Sequence, residues 1–257
     1  MVASVAALVP AADQSKTLTF ALDPTYPPFS YYDTDGKTVI GLQADVGVAA
    51  LRIAGIKFKV IGADFNGIVP GIQAAKYDMS SLNDTKARNA VVDFVDFYQS
   101  YTGLLVPNGN PQGLSINTLC GKAVAVQSTT QQMVQVAPSL SADCTKAGKA
   151  PLTLSSYTSG NDVDLALLSG RAVAALVEQA NGAYIATQSQ GKLQMVTGPT
   201  VAAHPIGLAV GKGSGLAPVL EAAIKQMMAD GTYKQIFTKW NMQSLEISTV
   251  TINGATS

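Results

Sequence analysis

Strand and helix signals alternate along this chain from Thr17 onward, and that alternation confines it to sheets with helices packed on both faces. Leu18-Thr19-Phe20-Ala21-Leu22 reads as a buried strand running into a Pro-rich turn. The pattern predicts a helix from Asp45 to Ala54, closed by Gly55, the residue type usual just past a helix end. Lys57 to Ile61 alternates as a second strand, Ile68 to Lys76 is a short helix, and the chain returns through Met79-Ser80-Ser81. Val106-Pro107-Asn108-Gly109-Asn110-Pro111 is a turn-rich break that opens a second unit. There Lys122 to Val126 is a buried strand, Thr130 to Val136 a helix, Asp162 to Leu168 a helix stopped by Ser169-Gly170, Ala172 to Val177 a strand and Gln179 to Thr187 a helix. His204 to Val210 leads back to the first unit, where Leu216 to Met228 forms a long amphipathic helix and Tyr233 to Trp240 a shorter one after Gly231.

The 257 residues allow one large domain or two modest ones. Only 13% are charged and 47% are apolar, so a sizeable core forms. The formal net charge is zero, and nothing in the composition points to a nucleic-acid or polybasic membrane partner. No apolar run approaches the ~20 residues that cross a bilayer. Met1 to Pro10 is apolar but lacks a cationic leader and is interrupted by Ser4, so it reads as an N-terminus from which an export signal has been removed. Cys120 and Cys144 are the only cysteines, without histidine company. A disulfide suits them better than a metal site, with two buried free thiols as the alternative. A bridge would stabilise by roughly 3 kcal/mol and imply an oxidising compartment.

Six segments stand in order: Asp23-Pro24-Thr25-Tyr26-Pro27-Pro28-Phe29, Gly41-Leu42-Gln43-Ala44-Asp45, Asp64-Phe65-Asn66-Gly67-Ile68-Val69-Pro70-Gly71, Ser80-Ser81-Leu82-Asn83-Asp84-Thr85-Lys86-Ala87-Arg88, Lys212-Gly213, and Asp230-Gly231-Thr232-Tyr233 with Lys239-Trp240. In this order and spacing the chain resembles the amino-acid-binding family of ABC-transporter solute-binding proteins, from about Leu18 to Trp240. The resemblance implies a two-lobed periplasmic binding protein fold of type II, an α/β fold in which each lobe is a mixed sheet flanked by helices. Two hinge strands, near Gln99–Leu105 and His204–Val210, would join the lobes. Lobe 1 would then be discontinuous, residues 1–104 and 206–257, with lobe 2 at 105–205. Similar proteins carry paired cysteines in segments matching Leu119-Cys120-Gly121-Lys122 and Asp143-Cys144-Thr145-Lys146, so the resemblance favours the Cys120–Cys144 bridge.

What the resemblance implies for function is capture of a polar amino acid or close derivative between the lobes and delivery to a membrane ABC permease, from a periplasmic or extracellular location. A lipid anchor ahead of Met1 is left open, and a monomer is expected. Arg88 would hold the ligand carboxylate, because a planar guanidinium makes two parallel charge-assisted hydrogen bonds that a lysine cannot copy. Ser80 and Ser81 sit just beyond a strand, where isolated serines are usually turn or capping residues; the resemblance gives one of them to the ligand ammonium and Asn83 to the carboxylate, with Thr85 as N-cap of the helix bearing Arg88. Tyr26 and Phe65 match the aromatic positions that sandwich the ligand side chain, a surface that also suits a cation. Ser128, Thr129 and Thr130 resemble a Gly-Thr-Thr-Gln segment whose amides bind a carboxylate at a helix start. Glu178 stands where an aspartate commonly pairs with the ligand ammonium. Gln43, Asp33 and Tyr31 are further pocket candidates that nothing in the sequence ranks.

Three departures cluster at this site. Only Met79 separates Asp78 from Ser80, where relatives carry a longer apolar strand, and a one-residue slip would turn side chains to the other face. Val126-Gln127-Ser128-Thr129-Thr130 is one residue short and lacks the glycine that eases backbone approach to a carboxylate. Glu178 replaces the common aspartate, and Val173 stands where an Asp commonly follows Gly170-Arg171. The alternatives are an enzyme on the same scaffold, dehydratase-like with Glu178 as general acid, or a sensory ligand-binding domain. The lone His204 supplies no metal set, and no phosphate loop or nucleophile–base pair is present, so no cofactor, no metal and no catalytic residue are expected.

Overall fold

The computed structural model describes residues 1–198 and 201–255, and the chain divides into two units. The first comprises Met1–Pro24, Pro28–Gln99 and the chain from His204 onward; the second comprises Thr25–Pro27 and Ser100–Ala203. In chain order the helices and strands are α1 (Ala3–Ala6), β1 (Thr17–Leu22), β2 (Thr25–Tyr26), β3 (Ser30–Tyr32), β4 (Val39–Ile40), α2 (Leu42–Ala54), β5 (Lys57–Gly62), α3 (Phe65–Gln73), β6 (Met79–Asn83) and α4 (Lys86–Asn89). They continue with β7 (Val92–Pro107), β8 (Ala123–Gln127), α5 (Ala137–Lys146), β9 (Thr153–Tyr157), α6 (Gly160–Leu168), β10 (Ala174–Glu178), α7 (Gln179–Gln188) and β11 (Leu193–Met195). The last are β12 (Val201–Gly211), α8 (Leu216–Asp230), α9 (Thr232–Lys239) and β13 (Glu246–Ile252). The chain passes from one unit to the other inside two strands, β7 after Gln99 and β12 after Ala203.

In the first unit β1 lies parallel to β5 and β6, and β6 pairs antiparallel with β12, with Leu208 opposite Ser81. All five residues of β6 are buried, as the centre of a sheet covered on both faces requires. On one face Ala21, Leu82 and Phe94 pack with Ile68 and Ile72 of α3. The opposite face is covered by α2, which packs on α8. Gly55, at φ 72°, ends α2 where the sequence placed the stop. β13 pairs antiparallel with the first half of β7, Ile252 opposite Val95.

In the second unit β8 is parallel to β9 and β10, and β10 and β11 are antiparallel to the second half of β7. α6 supplies Val163, Ala166 and Leu167 to one face, and α5 supplies Ala137 and Cys144 to the other. Cys144 is bonded to Cys120, with their Cα atoms 5.5 Å apart, and ties α5 to the segment ahead of β8. Both units are therefore mixed sheets flanked by helices.

The structure corrects three local expectations. Ser80 and Ser81 lie inside β6, not beyond a strand, so the strand is not lost where the sequence looked short. The helix read as Thr130 to Val136 is a π-helical turn over Gln132–Val136 that runs on into α5 as far as Lys146. Pro138 would normally mark a stop, but its missing N–H falls where the π turn already interrupts the α ladder. Tyr26, placed by sequence in the first lobe, groups with the second unit. Its hydroxyl accepts from the Glu178 N–H (3.4 Å), and the adjacent Pro27 carbonyl accepts from Asn181 Nδ2 (2.6 Å).

Candidate functional site

In the first unit the candidate residues follow from the end of β6. Side chains alternate along a strand, so Ser81 and Asn83 share one face while Ser80 shares the other with Leu82, which packs against α3. Among the described residues the Ser80 and Ser81 hydroxyls have no hydrogen-bond partner although both are buried. Thr85 then caps α4: its Oγ1 accepts the Arg88 N–H at 3.3 Å, as expected. That short helix turns Arg88 back so that Nη1 donates to the Asn83 carbonyl at 2.9 Å. Its guanidinium carbon lies 5.5 Å from the Phe65 ring centroid, a cation–π distance. Phe65 is fixed as the first residue of α3, whose cap Asp64 accepts the Asn66 N–H at 3.0 Å. Burial lowers the Arg88 pKa to about 10, against the raising influence of Asp84. A guanidinium held this way is dehydrated on one side and positioned to meet a planar anion.

The three unranked candidates have structural partners. Gln43 is buried with its Nε2 donating to the Tyr98 hydroxyl at 2.9 Å, and Tyr31 meets Trp240 edge-on at 6.1 Å. Asp33 lies in an exposed turn and accepts the Thr34 N–H at 2.7 Å. His204 is buried on β12.

In the second unit Glu178 ends β10 and is buried; its carboxylate accepts from Ser100 Oγ at 2.8 Å. Ser128 donates its N–H to the Tyr157 carbonyl at 2.7 Å, and Thr130 Oγ1 donates to the Gln127 carbonyl at 2.7 Å. Thr129 between them adopts φ 58°, a left-handed conformation that a β-branched residue enters at a cost of about 1–2 kcal/mol. The turn thus takes a glycine-like backbone without the glycine, and strain of this kind collects at functional sites. Beneath Tyr26, Gln127, Thr130 and Asn181 lies a cavity of about 10 Å³, room for a single water.

The sequence reading missed Asp164, which lines the same cavity from α6. Burial raises its carboxyl pKa to about 7, and among the described residues no hydrogen-bond or ionic partner meets it. An acid at a helix position otherwise filled by Val163, Ala166 and Leu167 was the available signal. Each unit therefore gathers its own set: Phe65, Ser81, Asn83 and Arg88 in the first, Tyr26, Thr130, Asp164 and Glu178 in the second. Among the described residues no three His, Cys, Asp or Glu side chains converge to hold a metal.

Comparison with known proteins supplies the context for these sets. The family described as bacterial extracellular solute-binding proteins, family 3, matches residues 18–243. The chain is 31% identical over 255 residues to the arginine-binding protein ArgT of Corynebacterium glutamicum, covering 98% of this chain and 83% of that one. It is 29% identical to the L-arginine-binding protein of Pseudomonas aeruginosa, covering 90% of each. Among solved structures it is similar to an ancestral arginine-binding protein bound to glutamine, with a TM-score of 0.78, 28% identity, and coverage of 88% of this chain and 98% of that one.

Proposed function

Because this chain belongs to the bacterial extracellular solute-binding proteins, family 3, we propose that it captures an amino acid with a cationic side chain and delivers it unchanged to the membrane permease of an ABC importer. The observation that carries the reading is Arg88, a dehydrated guanidinium beside the Phe65 ring at the end of a strand with unpartnered buried hydroxyls. Arg88 takes the α-carboxylate, Ser81 and Asn83 complete its surroundings, and Glu178 takes the α-ammonium. Relatives named for arginine support a basic ligand, and so does Asp164. A half-buried carboxyl without a partner carries a desolvation cost, and a ligand cation reaching it past Tyr26 would remove that cost. No helix among the described residues is long and apolar enough to cross a membrane, and the family is extracellular. Release of the ligand unchanged distinguishes a carrier from an enzyme that uses Glu178 as an acid.

The test is to equilibrate the protein with a mixture of all amino acids, separate it, denature it and identify what it releases. One basic amino acid per chain, chemically unaltered, is expected; a converted product or an empty protein contradicts the reading. Asp164→Asn separates the side-chain assignment from the rest. Loss of a charge-assisted interaction, about 1.5–3 kcal/mol, weakens arginine or lysine roughly ten- to a hundredfold and leaves a neutral amino acid such as glutamine nearly unchanged, measured by calorimetry. Equal loss for both ligand types would remove Asp164 from cation recognition.

A further inference from the structure

Two buried aspartates of the first unit play no part in the reading above. Asp84 stands one residue before the Thr85 cap of the Arg88 helix, and Asp96 lies on β7; each is only 1% exposed. Asp84 Oδ2 accepts the Ala255 N–H at 2.9 Å. Asp96 Oδ2 accepts the Gly254 N–H at 3.0 Å and the Thr251 hydroxyl at 2.9 Å. Asn253 secures the same segment, accepting the Phe94 N–H (2.8 Å) and donating to Asp93 (3.0 Å). A Cβ on Gly254 would stand 2.6 Å from Asp96 Oδ2 and one on Gly207 2.8 Å from Oδ1, so side chains at either position would displace the carboxyl. The remaining oxygens, Asp84 Oδ1 and Asp96 Oδ1, are buried and meet no N–H or O–H donor of the described residues. The two carboxyls hold consecutive amides, which sets them side by side, and the Asn89 side chain also reaches Asp84.

Two adjacent buried carboxylates repel, and one proton held between them supplies the donor that both Oδ1 atoms lack. We propose that Asp84 and Asp96 share one proton and, by doing so, strap the segment Thr251–Ala255 over the start of the Arg88 turn, acting as positioning residues for that guanidinium. Burial raises both carboxyls, Asp96 to about 7 with the Asp84 charge adding to the effect. The shared proton also leaves the pair with a single negative charge opposite Arg88, which holds the guanidinium without neutralising it twice over. The strap stands on the geometry of the first unit alone; only its effect on ligand affinity rests on the binding function proposed above.

Unfolded or undocked aspartates lose their protons near pH 4, whereas the docked pair keeps one to about pH 7. Docking is therefore strongest near pH 4 and weakens as pH rises towards 7, by up to about tenfold per pH unit, then levels off. Other charged groups face this region: Arg88 on α4, Asp93 paired with Lys212 at 2.8 Å, and His204, whose neighbour Pro205 accepts the Asp84 N–H at 3.0 Å. Asp96→Asn isolates the pair, because the amide donates permanently in place of the proton while its oxygen still accepts from Gly254.

The experiment measures hydrogen-exchange protection of the Gly254 and Ala255 amides, corrected for intrinsic rate, and arginine affinity, between pH 5 and 7.5 in the parent and in Asp96→Asn. Expected is a fall in protection with pH in the parent and a flat profile in Asp96→Asn. The ratio of parent to variant affinity, in which the titration of Asp164 cancels, should fall with it. A flat parent profile, or a slope that survives in Asp96→Asn, overturns the shared proton. Protection that titrates while the affinity ratio stays constant overturns the positioning role. Asp84→Asn serves as the second isostere should Asp96→Asn not fold. A protein that binds no amino acid in any variant would defeat the proposed function, while the exchange series would still decide the shared proton.

Discussion

Arg88→Ala abolishes measurable amino-acid binding. The α-carboxylate of the ligand would enter a dehydrated pocket and find no cation, and breaking such a pair by removing one partner costs roughly 2–5 kcal/mol. That is about 30-fold to several-thousand-fold in affinity, since ~1.4 kcal/mol is tenfold. Arg88→Lys should recover little, because an ammonium cannot reproduce the fork and would lose the stacking surface on Phe65. The fold should survive both changes: the guanidinium is destabilised by burial, and it donates to the Asn83 carbonyl at the strand end. Calorimetry with parent and variant checks this, with the melting curve as control. A variant that binds as tightly as the parent removes Arg88 from the site.

Replacing Cys120 and Cys144 together by serine lowers stability by about 2–5 kcal/mol, the range seen when a native bridge is lost. The bond joins α5 to the segment leading into β8, and Cys144 is buried among Leu119, Val124 and Ala137. Serine there also places a hydroxyl in an apolar cluster, so the effect should lie above the chain-entropy contribution alone. Denaturant unfolding of the double variant, compared with the parent under oxidising and reducing conditions, reads the loss. An unchanged midpoint would show that the bridge constrains little of the unfolded chain.

The alternation of strands and helices was legible because each element carries its own local signal. The run Leu18 to Leu22, the glycine after Ala54 and the cap at Thr85 each state their conformation within a few residues. The Cys120–Cys144 bridge was legible through the resemblance of its flanking segments. What escaped depends on contacts distant in sequence. Tyr26 looks like part of the strand run that precedes it, but its hydrogen bond to Glu178 spans 152 positions. Ser80 and Ser81 looked like turn residues because small polar side chains rarely fill a buried central strand; here β12 closes the ladder beside them. Pro138 reads as a helix stop unless the preceding π turn is known. Asp164 and the Asp84–Asp96 pair read as ordinary surface acids, since sequence shows the charge and not the burial that raises it. The docking of the C-terminal segment against them was invisible for the same reason.

The proposed binding mode holds a basic amino acid by its α-carboxylate, its α-ammonium and its side-chain cation. One calorimetric series tests it directly, with arginine, agmatine (which lacks the carboxylate) and citrulline (which lacks the cation) titrated into the same protein. Saturation by arginine at one per chain is expected, with agmatine and citrulline each at least tenfold weaker. No heat and no change in melting temperature with arginine or lysine, in a well-folded protein, or equal binding of all three, would contradict it.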